Sequence, residues 1–200
     1  MLIFVITLTT MYSTNQVHAL GVEPSKSTQT PGFYVAPGVG ITQMDGSAAF
    51  LASLRGGVQL NHQLALGVAI RTAVNQIKPK SETIPDIYMD YWSVGGFTEY
   101  SMPLNELVTL RFPLYICYGE VQMDSDDDDY WETGFDDTGF GESNFVEIEP
   151  SVLLGFTVNE FVRLEFGAGY RFVGSMEYRN MNQSDIRGLI GSAGLRIGRF

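Results

Sequence analysis

The chain has 200 residues, of which 44% are apolar and 18% charged, which is enough for one domain and too apolar for a disordered chain. Its net charge of −11 has the wrong sign for binding nucleic acid by phosphate neutralisation, and one cysteine, Cys117, excludes an internal disulfide framework. His18 and His62 are the only histidines, so no His/Cys set is spaced to hold zinc; no run of 18 or more apolar residues forms a transmembrane helix, which leaves a membrane β-barrel open.

Residues 1–19 predict a secretory signal peptide. Met1 to Met11 is an apolar run, Tyr12 to His18 is polar, and Val17 and Ala19 have the small-residue spacing of a cleavage site, although no Lys or Arg precedes the run. Residues 20–32, polar with Pro and Gly, read as a periplasmic leader to a domain spanning 33–200.

From residue 33 apolar residues recur at every second position, the period of a β-strand with two unlike faces. The first strand sets Phe33, Val35, Pro37, Val39 and Ile41 against Tyr34, Ala36, Gly38, Gly40 and Thr42. The second sets Phe50, Ala52, Leu54, Gly56, Val58 and Leu60 against Leu51, Ser53, Arg55, Gly57 and Gln59; Leu64, Leu66, Val68, Ile70 and Val74 mark the third. A less regular fourth runs from about Ile87 to Met102, with Trp92, Val94, Thr98 and Tyr100 on one face. The fifth, from Val108 to Tyr118, alternates without interruption, and the sixth and seventh run from Val146 to Phe156 and from Val162 to Phe172. The last extends from about Asp185 to Phe200, with Leu189, Ala193, Leu195 and Ile197 on its apolar side. Pro37, Pro113 and Pro150 lack an N–H for the sheet ladder, so each is expected at a bulge, a strand end or a ladder gap.

Three connections share the pattern [LV]-N-x-x-[LV]-x-L: at Leu60-Asn61-His62-Gln63-Leu64, at Leu104-Asn105-Glu106-Leu107-Val108 and at Val158-Asn159-Glu160-Phe161-Val162. Asn is expected there because it tolerates turn dihedrals. The intervening connections, at about Met44–Ser47, Lys78–Asp86, Val121–Asn144 and Ser175–Ser184, read as longer and polar. Short turns on one rim and long loops on the other predict an all-β fold, an eight-stranded antiparallel up-and-down transmembrane β-barrel.

Alternation alone does not say which face is inside. The polar face carries Arg55, Arg71, Glu99, Arg111, Glu147, Glu149, Arg163, Glu165, Arg171 and Arg196 among small residues, and no strand contains a Lys. Soluble sheets usually recruit Lys to their exposed edges, whereas Arg forks paired with Glu suit a narrow lumen. Eleven positions from Val108 to Tyr118 span roughly 36 Å of strand, or about 26 Å of thickness at a tilt of about 45°, which matches a bilayer. Aromatic residues gather near strand ends as interfacial girdles: Trp92, Tyr118, Tyr170 and Phe172 toward the long loops, Phe33, Tyr100 and Phe156 toward the short turns. Cys117 is expected in the lumen as a buried thiol.

Several segments carry a resemblance: Arg55-Gly56-Gly57 with Leu60-Asn61-His62, Ile148-Glu149-Pro150, Gly169-Tyr170-Arg171-Phe172-Val173, and Gly194-Leu195-Arg196-Ile197-Gly198-Arg199-Phe200. With the alternating strands, the mature chain resembles the small outer-membrane β-barrel families of Gram-negative bacteria, and looks most like eight-stranded members of the Bacteroidetes type. Its last strand departs from the commoner enterobacterial form, which has apolar residues where Gly198 and Arg196 stand. The resemblance implies a place in the bacterial outer membrane with loops extracellular and termini periplasmic, lipid as surroundings, and assembly machinery that reads the strand ending in Phe200. It implies a location, not an activity.

The loop 121–144 holds nine of the 23 acidic residues. Asp124, Asp126 and Asp128 begin like a calcium loop, but Asp129 stands where Gly is required and Phe135 where Glu is required, so only a weak divalent-cation site is expected and no other cofactor. Tyr130, Trp131, Phe135 and Phe140 give the same loop an aromatic binding surface. His62, in a short turn, is no base for a catalytic triad at the opposite rim. The expected function is therefore a non-enzymatic, monomeric outer-membrane barrel that acts in envelope structure or surface binding through its long loops. The alternatives are a soluble periplasmic lipocalin-like carrier of a small apolar ligand and a narrow, porin-like solute or ion channel.

Overall fold

A computed structural model of the chain describes residues 32–82, 87–125, 142–178 and 180–199. Its local logic begins at the three repeated turns. In each, the Asn side-chain oxygen accepts two backbone N–H bonds: Asn61 from Gln63 and Leu64, both at 2.8 Å; Asn105 from Leu107 and Val108 at 2.9 and 2.8 Å; Asn159 from Phe161 and Val162 at 2.8 and 2.9 Å. The expected reason for Asn is thereby corrected. Asp45 is the only non-glycine among the described residues with a positive φ, so the three asparagines serve as side-chain acceptors and not as residues tolerant of a left-handed backbone. The carbonyls of Gln63, Leu107 and Phe161 then accept from the N–H groups of Ser101, Thr157 and Gly198, at 2.6, 2.8 and 3.0 Å, tying each hairpin to the next.

Those turns join antiparallel strands β1 (Gly32–Met44), β2 (Ser47–Gln59), β3 (Leu64–Ala73), β4 (Ile87–Pro103), β5 (Val108–Ser125), β6 (Glu142–Thr157) and β7 (Val162–Val173). A small hairpin, β8 (Glu177–Tyr178) and β9 (Met181–Asn182), and a one-turn helix α1 (Gln183–Ile186) precede the last strand, β10 (Gly188–Gly198). Strands β1 to β7 and β10 pair in the order β1-β10-β7-β6-β5-β4-β3-β2 and close on themselves. The fold is an eight-stranded antiparallel up-and-down barrel.

Three connections differ from expectation. Met44–Ser47 is not a long loop: Asp45 and Gly46, at φ 42° and 74°, make a two-residue turn of the kind that matches strand twist. β5 continues to Ser125 and β6 begins at Glu142, so both ends of the expected loop 121–144 are strand. The last strand runs from Gly188 to Gly198, with Phe200 outside the described residues; it begins there because Asp185 lies in α1 and its carboxylate accepts from the Asn182 N–H at 2.8 Å while the Asn182 side chain accepts from Ser184 N–H at 2.8 Å.

The prolines coincide with ladder gaps. Pro37 falls where β1–β10 pairing stops between Val35↔Ile197 and Gly38↔Gly194, Pro113 where β5–β6 pairing stops between Arg111↔Leu153 and Leu114↔Pro150. Pro150 falls in the β6–β7 gap between Ile148↔Phe172 and Ser151↔Gly169. Register is the same on both sides of each gap, so the missing N–H leaves the barrel's geometry intact.

The faces are inside-out relative to a soluble barrel. Val39, Leu54, Val68, Ile116, Val152 and Phe166 are exposed on the exterior, with Val68 at 67%, whereas Arg111, Arg171, Arg196, Glu99 and Glu165 are buried within. Along β5 this reverses past Tyr118. The outward residues become Glu120 and Gln122 while the inward Val121 and Met123 are fully buried, so the phase persists but its polarity inverts.

Candidate functional site

The lumen is filled by ion pairs reaching across it. Arg196 on β10 donates through Nη2 to both oxygens of Glu99 on β4, at 2.7 and 2.6 Å, and its Nε lies 2.8 Å from Glu165 on β7. Arg55 on β2 and Arg111 on β5 also pair with Glu165, and both approach Glu99, at 3.9 and 3.7 Å. Three guanidinium groups thus surround two carboxylates, and the Tyr34 ring lies 3.8 Å from the Arg196 guanidinium carbon. Inside a low-dielectric lumen each charge needs such partners, because a lone one is costly to desolvate.

A second layer lies toward the long-loop end. Arg71 on β3 pairs with Glu149 on β6 and approaches Glu147 at 3.9 Å; Ser151 donates to Glu149 at 3.0 Å. The Tyr91 hydroxyl donates to Glu147 at 2.8 Å, and Arg55 links the layers by donating to the Tyr115 hydroxyl at 3.0 Å. A cavity of about 50 Å³ beside Ser53, Arg55, Arg71, Glu149 and Ser151 has room for water but not for a solute.

Arg163 is half-buried near the short-turn end, opposite Arg196 in the β7–β10 ladder. Arg171 stands apart from the carboxylates: its Nε and Nη2 donate to the Ile186 carbonyl at 3.0 and 2.6 Å, and its guanidinium lies over the Tyr91 ring at 4.9 Å. Above it the lumen is closed by an apolar plug in which Met44, Met89, Met123, Met176 and Met181 meet Leu51, Ile77, Phe145 and Ile186. Sequence reading missed this plug, although Met89 and Met123 continue the inward phase of their strands past the aromatic girdle.

Cys117 is buried and unpaired as a thiol, facing the lumen. Among the loop candidates, Asp124 belongs to β5 opposite Tyr88, while Asp126, Asp128, Tyr130, Trp131, Phe135 and Phe140 lie outside the described residues. Trp92 and Tyr118, 6.1 Å apart, and Tyr170 and Phe172, 4.7 Å apart, mark the exterior at the level where polarity inverts.

No protein-family model and no curated protein matches the chain. Solved structures do. Neisserial surface protein A superposes with a TM-score of 0.61 at 15% identity, covering 85% of this chain and 97% of that one. The fold is that of the bacterial outer-membrane β-barrels. A major outer membrane protein from Thermus thermophilus gives 0.60 at 10% identity over 85% of this chain and 100% of its own, and the N-terminal β-barrel domain of Pseudomonas aeruginosa OprF gives 0.54 at 6% over 84% and 96%. At these identities the likeness is one of fold, and it lends the Bacteroidetes affinity no support.

Proposed function

We propose that the chain is an integral, non-enzymatic barrel of the bacterial outer membrane, exported through the signal at 1–19, with its long-loop rim extracellular and its termini periplasmic. One observation carries this reading: the exterior is apolar from the short turns up to the Trp92–Tyr118 girdle and acidic beyond it, at Asp90, Glu120 and Glu142. A water-soluble carrier would expose that whole apolar belt, which is far larger than the patches soluble monomers tolerate. The packed ionic layers and the plug argue for a structural interior and against a solute channel.

The role then falls to the extracellular rim, where the acidic segment 126–141, with Tyr130, Trp131, Phe135 and Phe140, contacts envelope or surface partners. Asp124, Asp126 and Asp128 remain candidate ligands for a weakly held divalent cation. Phe200, outside the described residues, ends the C-terminal segment read by the assembly machinery, and the barrel works as a monomer in lipid. Cell fractionation with protease treatment of intact cells tests this. Recovery with outer membrane, heat-modifiable electrophoretic mobility and cleavage within 126–141 are expected; recovery in osmotic-shock fluid overturns the reading.

A further inference from the structure

The plug is made by the chain's own β7–β10 connection. Met176, Met181 and Ile186 enter the mouth of the lumen and are almost fully buried against Met44, Met89 and Met123. At the floor of this cup sits Arg171, 0% exposed, whose forked Nε and Nη2 both point at one neutral acceptor, the Ile186 carbonyl, while Nη1 has no hydrogen-bond partner. Among the residues whose side chains are described, no carboxylate forms an ion pair with it. A guanidinium fork is shaped for two oxygens carrying a negative charge, and here it holds a single uncharged one.

We propose that this cup is a binding site for an apolar carboxylate of the fatty-acid class, which the Ile186 carbonyl occupies when no ligand is present. The carboxylate takes the Arg171 fork in place of the uncharged Ile186 carbonyl. The acyl tail takes the space vacated by Ile186, Met176 and Met181. The unbranched thioether side chains of Met44, Met89 and Met123 adapt to different chain shapes, as methionine-lined surfaces do.

The segment that must move is held by a few identifiable bonds. The Asp45 N–H donates to the Asp185 carbonyl at 2.6 Å, and the Asp45 carboxylate accepts from the N–H and hydroxyl of Ser81 at 2.7 and 2.8 Å. Asp45 thus gathers the connections around the mouth, and releasing α1 breaks its bond, those of Arg171 and the apolar packing of Ile186 against the plug. This goes beyond the loop-based role, since it assigns a ligand to the mouth itself.

The test uses the whole folded protein in nanodiscs, with octanoate as probe and octan-1-ol as its uncharged counterpart, corrected against empty nanodiscs. Octanoate is expected to bind saturably and to speed exchange of the Arg187 amide, which donates to the Gln183 carbonyl at 3.2 Å at the end of α1. Arg171→Met is expected to weaken octanoate binding about tenfold or more, the worth of a charge-assisted pair. Ile186→Gly, which keeps Arg171 and thins the plug, is expected to tighten it. Equal binding of octan-1-ol, no saturable octanoate binding, or unchanged affinity in both variants overturns the proposal.

Discussion

Arg196 and Glu99 stand on opposite walls of the barrel, four strands apart in either direction, and the guanidinium donates to both carboxylate oxygens at 2.7 and 2.6 Å. The pair is a strut across the lumen. Because Arg55 and Arg111 also converge on Glu99 and Glu165, this layer ties β2, β4, β5, β7 and β10 together.

Removing Glu99 leaves those guanidinium groups with one carboxylate in place of two. Glu99→Ala is predicted to destabilise the barrel by about 3–5 kcal/mol, as breaking buried pairs does. Urea unfolding in lipid vesicles measures it. The double variant Glu99→Leu with Arg196→Met should recover much of the loss, because an apolar filling removes both desolvated charges together.

The exterior belt predicts a depth-dependent penalty. Val152→Arg, at a lipid-facing site of β6, should cost about 2–4 kcal/mol, while Leu60→Arg at a short turn should cost about 0–1 kcal/mol. Equal costs at the two sites, read from the same unfolding experiment, would contradict the placement of the bilayer.

The turn asparagines separate two explanations. Asn105→Ala should cost about 1 kcal/mol through its two lost acceptor bonds, and Asn105→Gly should cost no less. Were backbone tolerance the reason for Asn, glycine would be neutral or better. Thermal unfolding of the two variants side by side decides between them.

Much of this architecture is legible in the residues themselves. Alternation fixed the faces of β2, β5 and β7 because both the apolar and the Arg/Glu/Gly sets keep strict period two. The upper parts of β4, β5 and β6 were harder to see: past Tyr118 the outward side becomes Glu120 and Gln122, so a strand that continues looks like an acidic loop beginning. The Asp45-Gly46 turn carries a known hairpin signal but is flanked by polar Gln43 and Ser47, which blur its boundaries. Residue types announced an ionic lumen without announcing its partners. Which Arg meets which Glu depends on the stagger of strands far apart in sequence, as with Arg55 and Glu165, and no local pattern encodes that. Arg171 shares its face with the other luminal arginines but meets a backbone carbonyl, because a one-turn helix too short to show a period delivers Ile186 to it.

On the proposed reading, the apolar face of each barrel strand lies in lipid from the short turns up to the Trp92–Tyr118 level, and the Arg/Glu face lines the lumen. Nitroxide labels placed singly at each position from Val146 to Phe156 of β6, in outer-membrane vesicles, report it through their accessibility to oxygen and to a water-soluble nickel chelate. Oxygen accessibility should peak at Val146, Ile148, Val152, Leu154 and Phe156 and fall at Glu147, Glu149, Ser151 and Leu153. Peaks on the second set, or high nickel accessibility on the first, would contradict the account.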